Sequence, residues 1–261
     1  MDETVSVTQD GKVAKILFNR PEAFNAFDLD MIECLAKHLV TIATDSSVRG
    51  VVISGEGKAF CAGGDIRWVS KFPHGPSAAF HELAARFHWA ILEIRRMNKP
   101  VIAAINGMAA GGGFSLALAC DFRVMARSAV LKQAYTSNGL CVNGGGTFTL
   151  PKMVGLARAL EIIAFDQPIS SEQALAWGLI TKVAEDGRAL EEAMKMGQEL
   201  ANSSLNSFGW SKQLLTDSFH TSFEAHLERE RTGLSSCADH PDGKEGLRAF
   251  AEKRKPVFNT P

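Results

Sequence analysis

Apolar and polar residues alternate along the start of the chain, as they do in strands with one buried face. The segments VSVT and VAKILF predict two strands of a hairpin, with Asp10 and Gly11 in the turn between them. After Asp28 the apolar spacing becomes that of a helix, which we expect to extend to about Ala43 with Asp28 as its N-terminal cap. The chain therefore begins with a hairpin followed by an amphipathic helix.

Two short apolar runs further on, VVIS at 51–54 and VIAAI at 101–105, are typical of buried strands. A helical pattern from about Ala78 to Arg96 separates them. A short apolar helix that opens with the glycines at 111–113 follows, and FRVM and AVLK predict two more strands. This alternation of strands and helices predicts an α/β core.

Beyond about residue 145 the pattern is mostly helical. Ser170 and Gln173 predict a capping box at the start of one helix, and Gly178 is placed to end it. We therefore predict an α/β fold whose core spans residues 1–200, followed by an α-helical C-terminal region over residues 201–261.

Composition narrows the classes of function. The chain has 261 residues, of which 46% are apolar and 22% charged, and its formal net charge of −1 gives no electrostatic reason to expect nucleic acid or an anionic membrane as partner. No apolar run approaches the ~20 residues that cross a bilayer, and the acidic N-terminal segment does not resemble a signal peptide. The cysteines form no CxxC pair, so we expect no metal site, no disulfide framework and a reducing cytoplasmic location: Cys34, Cys61, Cys120, Cys141 and Cys237.

Two glycine-rich stretches, AFCAGGDI at 59–66 and AAGGGF at 109–114, carry the main chemical signal. Each follows a predicted strand, and the second opens a helix whose first N–H groups have no partner within the helix. Two such turns that face each other would direct two backbone N–H donors at one oxygen, which is the arrangement of an oxyanion hole. The alternative is that each cluster only lets a helix pack closely on a strand.

Taken together, KAFCAGGDI, KPVIAAINGMAAGGGFSLALACDFRVM and GLCVNGGGTFTLPKMVG resemble the crotonase (enoyl-CoA hydratase/isomerase) superfamily, and FAEKRKPVF is similar to the family's C-terminal helix. The resemblance covers essentially the whole chain. It implies a spiral of ββα units with a helical C-terminal region that builds trimers, often paired into hexamers. It also implies acyl-CoA thioester substrates, with the backbone N–H groups of Gly64 and Gly112 binding the enolate-like oxygen of the thioester.

The residues that transfer protons in family hydratases differ here. The resemblance places their first glutamate at Ser115 and their second at Tyr135, so both carboxylates are absent. Hydration needs a base that activates water and an acid that protonates the α-carbon. A tyrosine with an ordinary pKa near ~10 donates a proton more readily than it accepts one at neutral pH. We therefore expect two-glutamate hydration to be slow or undetectable.

A third acidic position of the family, found in several enoyl-CoA isomerases and in aromatic acyl-CoA dehalogenases, corresponds to Asn143. An amide orients a substrate or a water molecule but acts neither as a general base nor as a carboxylate nucleophile. The same dehalogenases have a histidine at the offset of His88 and a tryptophan that aligns with Tyr135. His88, Tyr135, Asn143 and Ser115 are thus catalytic candidates, and the alternative for each is a packing or pocket-lining role.

By the same resemblance, Ala26, Ala62, Asp65 and Ile66 are candidates for contact with the substrate. For Asp65 the alternative is to orient its loop or to cap the next helix. Lys253, in the basic segment EKRK, is a candidate for binding the phosphates of CoA, and the alternative is a solvated surface.

Three functions stay open at this point. The first is an acyl-CoA enzyme of the enoyl-CoA hydratase/isomerase family that works through a thioester enolate without the usual glutamates. The second is a hydrolase or another enzyme acting on aromatic or cyclic acyl-CoA, and the third is a non-catalytic acyl-CoA-binding protein. We expect no cofactor, because CoA is part of the substrate, and we expect a homotrimer or a dimer of trimers.

Overall fold

The computed structural model describes residues 4–258. Residues 1–3 of the predicted core (1–200) and residues 259–261 of the predicted C-terminal region (201–261) lie outside the described residues. Its strands are, in chain order, β1 (Val5–Asp10), β2 (Val13–Phe18), β3 (Gly50–Gly55), β4 (Ala59–Cys61), β5 (Val101–Ile105), β6 (Met108–Ala110), β7 (Phe122–Ala126), β8 (Val130–Lys132), β9 (Ile169–Ser170) and β10 (Lys182–Ala184).

Its helices are α1 (Leu29–Thr44), α2 (Ile66–Ser70), α3 (Gly75–Arg96), α4 (Gly112–Ala119), α5 (Gly146–Phe165), α6 (Ser171–Ala176), α7 (Ala189–Leu200), α8 (Leu205–Asp217), α9 (Phe223–Asp239) and α10 (Pro241–Ala251). Helix α5 is interrupted at Gly155, whose backbone is not helical.

The strands form two sheets. The larger sheet has the order β1-β2-β3-β5-β7-β10, in which β1 and β2 are antiparallel and the remaining neighbours are parallel. The smaller sheet has the order β4-β6-β8-β9, and only its last pair is antiparallel. Because α7 packs across β3, β5 and β7, these strands are covered and carry nearly continuous apolar runs.

The chain enters the two sheets in a repeating order. In β3-β4-α3, β5-β6-α4 and β7-β8-α5, the first strand joins the larger sheet, the second joins the smaller sheet, and a helix follows. This repetition confirms the predicted spiral of ββα units. It also brings the carboxyl ends of β4, β6 and β8 together, because these strands are parallel neighbours.

Local signals account for several element boundaries. Asp28 caps α1 by accepting a hydrogen bond from the Met31 N–H at 3.0 Å, as predicted. The capping box of Ser170 and Gln173 is present at the start of α6, and Gly178 has a positive φ of 73° just beyond its end.

Other boundaries differ from the sequence-based expectation. Asp10 pairs with Val13, so the hairpin loop is residues 11–12 rather than Asp10 and Gly11. Helix α3 begins at Gly75 instead of Ala78. The segment beyond residue 145 also contains β9 and β10, which at two and three residues are too short to show an apolar period.

Candidate active site

The candidate site lies where β4, β6 and β8 end. The segment 62–65 follows β4, and Gly111–Gly113 follows β6 and opens α4. We call these two segments the glycine turns. Tyr135 lies three residues after β8, and β8 is the neighbour of β6 in the same sheet. Ligand sites commonly lie beyond the carboxyl ends of parallel strands, and the spiral brings three such ends together here.

The glycine turns are in direct contact. A Cβ atom at position 63 would lie 2.8 Å from the Gly112 nitrogen, and a Cβ atom at Gly112 would collide with the ring of Phe27. Phe27 also fixes the first turn, since its N–H donates to the Gly63 carbonyl at 2.8 Å and its carbonyl accepts from the Asp65 N–H at 2.9 Å. The absence of side chains at these positions is therefore a requirement of the packing.

Two backbone donors remain available in the glycine turns. Neither the Gly64 N–H nor the Gly112 N–H donates to an acceptor within residues 4–258. Gly112 is the first residue of α4, where N–H groups have no partner inside the helix and the helix dipole is positive. This end of α4 can therefore stabilise a developing negative charge on a bound oxygen.

Beside the glycine turns, the four candidate side chains form one hydrogen-bonded series, which we call the polar chain: His88, Asn143, Ser115 and Tyr135. The His88 Nε2 atom lies 2.6 Å from Asn143 Oδ1, and the Ser115 hydroxyl donates to the Asn143 carbonyl at 2.6 Å. An amide oxygen only accepts, so Nε2 carries the hydrogen and the lone pair of the neutral ring is on Nδ1. The sequence-based candidates are thus brought together, and none of them is a carboxylate.

Tyr135 completes the polar chain from the side of β8. Burial raises the pKa of Tyr135 to about 12, against the smaller opposing effects of hydrogen bonds with the Ser115 side chain and the Asn143 backbone. The Asn143 N–H donates to the phenolic oxygen, which favours the charged form but does not offset the effect of burial. Tyr135 is therefore a protonated donor at neutral pH.

The backbone before Tyr135 is held in an unusual conformation. Ala134 has a φ of 51°, in the left-handed region that non-glycine residues rarely adopt. The Asp166 carboxylate accepts from the Ala134 N–H at 2.8 Å, and the Gln133 side chain accepts from the Tyr135 N–H at 3.0 Å. Asp166 and Gln133 are buried, so this part of the site is fixed from beneath.

A second fixed element supports the first glycine turn. The Arg20 guanidinium donates to the Ala26 carbonyl at 2.5 Å and pairs with Asp65 at 2.9 Å and with Asp28 at 3.1 Å. Burial would raise the pKa of Asp65, but the Trp68 N–H, the Arg20 guanidinium and the Arg67 N–H together lower it. Asp65 is thus an ionised cap of α2, one of the two alternatives given for it.

The remaining candidates lie at different distances from this centre. Ala26 is buried under Arg20, and Ala62 donates its N–H to the Phe24 carbonyl at 3.0 Å, so both line the first turn. Ile66 follows the turn and is 60% exposed. Lys253 is exposed just after α10, which packs against α9. Its contact with CoA stays a prediction.

The sequence did not single out the residues that support the site: Arg20, Phe27, Gln133 and Asp166. Arg20 and Phe27 lie in NRPEAFNAF, and nothing in this segment indicates an ion pair between Arg20 and Asp65, which is 45 residues away. A buried acid such as Asp166 has no local pattern at all. Among residues 4–258 no His, Cys, Asp and Glu side chains cluster as metal ligands, and no helix has the length and apolar character to cross a membrane.

Comparison with known proteins places this architecture. The family model described as enoyl-CoA hydratase/isomerase matches residues 8–261. The 1,2-epoxyphenylacetyl-CoA isomerase of Escherichia coli is 34% identical over 94% of both chains. The structure of an enoyl-CoA hydratase from Polaromonas sp. JS666 has a TM-score of 0.91 at 34% identity, covering 97% of this chain and 99% of that one. That of an enoyl-CoA hydratase from Bacillus anthracis has a TM-score of 0.91 at 31% identity, covering 98% and 99%.

The chain belongs to the enoyl-CoA hydratase/isomerase family, and its fold is that of the crotonase superfamily. The resemblance identified from the sequence is thereby confirmed. Members of this family are enzymes that act as lyases or isomerases on acyl-CoA thioesters, so the protein is an acyl-CoA enzyme.

Proposed function

We propose that this enzyme binds the carbonyl oxygen of an acyl-CoA thioester with the N–H groups of Gly64 and Gly112 and stabilises the enolate that forms when a proton leaves the substrate. The support is the contact between the glycine turns and the absence of a protein acceptor, within the described chain, for either N–H. Two preorganised donors of this kind lower the barrier to enolate formation because they are already oriented when charge develops.

We further propose that His88 accepts the proton and that Tyr135 donates one. With Nε2 held by Asn143, the His88 Nδ1 atom is the one nitrogen of the ring that can take a proton. The Tyr135 hydroxyl, with its pKa raised to about 12, donates a proton to the enolate; solvent then reprotonates Tyr135 and takes the proton from His88. The polar chain thus supplies one base and one acid without a carboxylate.

This arrangement favours isomerisation over hydration. Moving a double bond requires only that a proton leaves one carbon of the thioester and that another carbon receives one. Hydration requires instead that a base deprotonates the attacking water, and the two positions to which the resemblance gives the hydratase glutamates hold the neutral side chains of Ser115 and Tyr135. The observation that carries the proposal is the contact of His88 Nε2 with Asn143 Oδ1 at 2.6 Å beside the glycine turns.

A second candidate is hydrolysis or another reaction of an aromatic or cyclic acyl-CoA. The same contact between His88 and Asn143 favours it, because an imidazole beside an amide can also orient and activate a water molecule. The E. coli relative, whose name describes a ring-derived acyl-CoA substrate, supports this class of acyl group.

Proton exchange at the α-carbon tests the proposal without requiring knowledge of the natural substrate. Butyryl-CoA is incubated with the enzyme in D₂O, and loss of the α-proton signal is followed by NMR. We expect exchange by the unmodified enzyme and a large loss of exchange in His88→Gln. A panel of 2-enoyl-, 3-enoyl- and arylacetyl-CoA esters, followed in parallel, separates isomerisation from hydrolysis. Tight thioester binding with neither exchange nor turnover would contradict the proposal and favour a binding protein.

We also propose that the chain assembles into a homotrimer or a dimer of trimers. Large apolar side chains are exposed on α5, α9 and α10 of the single chain, among them Leu156, Phe223, Leu234, Leu247 and Phe250. Exposed apolar groups in this number indicate surfaces covered by other subunits. A solution mass of one 28.2 kDa chain in light scattering would contradict the proposal.

A reducing cytoplasmic location and the lack of a separate cofactor are part of the same proposal. The structure joins none of the five cysteines, all of which lie within residues 4–258, in a disulfide, which fits a reducing compartment. The proton transfers above need only the side chains named and the CoA that the substrate itself carries.

A further inference from the structure

A second cavity lies at the end of α4 opposite to Gly112. Its volume is about 440 Å³, within the range of small-molecule sites. Its walls come from the end of α4, the start of β7, the first turns of α5 and one face of α8. No residue of the glycine turns or of the polar chain lines it, so it is a separate feature of the fold.

The lining of this cavity is apolar along most of its length. Seven of its side chains are aliphatic or aromatic or belong to methionine: Leu118, Phe122, Met153, Phe148, Phe208, Leu215 and Phe219. Such a surface favours a chain of methylene groups over a polar molecule.

Charged residues of one sign predominate at the same cavity. Asp121 is the one acidic residue in its lining, beside four cationic side chains: Arg95, Arg123, Lys152 and Lys212. Asp121 is already used, because it pairs with the buried Lys212 at 2.8 Å and accepts from the Val101 N–H at 2.9 Å. Arg123 is also used, donating to the carbonyls of Leu179 at 2.7 Å and Cys120 at 2.5 Å.

Two cations are left without an acidic partner. Arg95 donates to the Thr216 hydroxyl at 2.8 Å, and neither Arg95 nor Lys152 forms an ion pair within residues 4–258. The Lys152 ammonium lies 3.1 Å from the centre of the Phe148 ring and 3.3 Å from the His220 Nε2 atom. Burial and the charge of Arg95 lower the pKa of Lys152, as expected where like charges face one cavity. An anion bound between the two would relieve this repulsion.

We propose that this cavity binds a hydrocarbon tail that ends in a carboxylate, and that Arg95 and Lys152 bind the carboxylate. Two molecules have this chemistry: a free fatty acid anion, and the far end of an acyl-CoA made from a dicarboxylic acid. Arg95 can form two parallel hydrogen bonds with a carboxylate, which makes it the main determinant. The site is independent of the chemistry proposed for the polar chain.

Calorimetry with decanoate on the assembled protein tests the proposal. We expect saturable binding of one decanoate per chain and much weaker binding of decylamine, which has the same apolar chain and the opposite charge. Arg95→Met and Lys152→Met should each weaken decanoate binding about tenfold, since each removes one charge-assisted contact and retains an unbranched side chain. Arg96→Met is the matched control, because Arg96 is the next residue of α3 and is exposed.

Two further titrations distinguish the sources of the carboxylate. If decanoate binds with unchanged affinity while the enzyme is saturated with the CoA monoester of decanedioic acid, the ligand is a free fatty acid anion. If decanoate competes with the CoA monoester of decanedioic acid, and Arg95→Met weakens that ester but not decanoyl-CoA, the ligand is the end of the substrate. The proposal is wrong if decanoate does not bind, if decylamine binds as tightly, or if both variants retain full affinity with unchanged circular dichroism.

Discussion

The glycine turns and the polar chain meet at the same strand ends, but one offers backbone groups and the other offers side chains. The N–H groups of Gly64 and Gly112 are positioned by the ββα spiral and by the packing of Phe27, so they depend on the fold as a whole. The polar chain depends on the identity of four side chains, and the same backbone could carry other residue types at these four positions. The proposed oxyanion donors therefore do not depend on which side chains occupy the polar chain.

The comparison predicts its largest effect at His88, the one base of the polar chain. His88→Gln should lower α-proton exchange ~100- to 10,000-fold, since a positioned general base contributes that much. His81→Gln is the matched control, because His81 is an exposed histidine seven residues earlier on α3. Equal losses in both variants would mean that the effect does not come from the polar chain.

The backbone half is tested at Gly64, where one substitution removes the N–H and another keeps it. A Cβ atom at position 64 would lie 3.7 Å from Leu83 and 3.9 Å from Phe80, which are ordinary contacts. Gly64→Pro should lower exchange roughly 100- to 1000-fold through loss of one oxyanion donor. Gly64→Ala retains the N–H and should lose much less, so similar rates in the two variants would rule out an oxyanion role for Gly64.

The support beneath the first turn is tested at Arg20. Arg20→Gln should lower the free energy of unfolding by about 2 kcal/mol, since charge-assisted hydrogen bonds to Asp28 and Asp65 are lost. The pKa of Asp65 is lowered in the folded chain, so its contribution is present above the ordinary carboxyl pKa and is lost as pH falls through the lowered value. In urea unfolding the variant should therefore approach the parent in acid.

Arg67→Gln is the matched control for Arg20, because Arg67 is exposed on α2 and forms no ion pair within residues 4–258. An Arg20 variant as stable as the control at neutral pH would show that the ion pairs do not support the turn.

The smallest effect is spectroscopic and concerns Tyr135, the only tyrosine of the chain. Its phenolate absorbance should appear with a pKa of about 12 in the native protein, against the ordinary 10.0 in denaturant. The sign follows from burial, which disfavours the charged form, so the native protein holds this proton where the unfolded chain has lost it. A native pKa at the ordinary value would contradict the assignment of Tyr135 as a persistent proton donor.

For the glycine turns the sequence predicted the chemical groups of the site, whereas for the polar chain it predicted the residues but not their contacts. Glycine clusters after apolar strands indicated backbone donors, because few side chains fit such turns. The composition of the polar chain could also be predicted from aligned positions, but its connectivity could not. The contact between His88 and Asn143 joins residues 55 positions apart, and it depends on how α3 packs beside the loop before α5.

The residues that support the site could not be predicted, because their contacts join positions that are distant in the sequence. Asp166 and Gln133 fix the left-handed Ala134 through contacts that no periodicity signals. β9 and β10 were missed for a related reason, since two or three residues complete a sheet only through the neighbours to which they bond. Helix caps such as Asp28 were predicted correctly, because the donor and acceptor lie within one turn.

The central claim is that neutral side chains have taken the place of the hydratase glutamates, and the hydration of crotonyl-CoA tests it most directly. The assay uses protein whose mass spectrum shows that Asn143 has not deamidated to aspartate, which would place a carboxylate in the polar chain. A family hydratase that has both glutamates is assayed beside it. We expect hydration at least ~100-fold slower than that enzyme, since each missing group contributes that much or more, and Ser115→Glu with Tyr135→Glu should raise it. Hydration as fast as that of the two-glutamate enzyme would contradict the account.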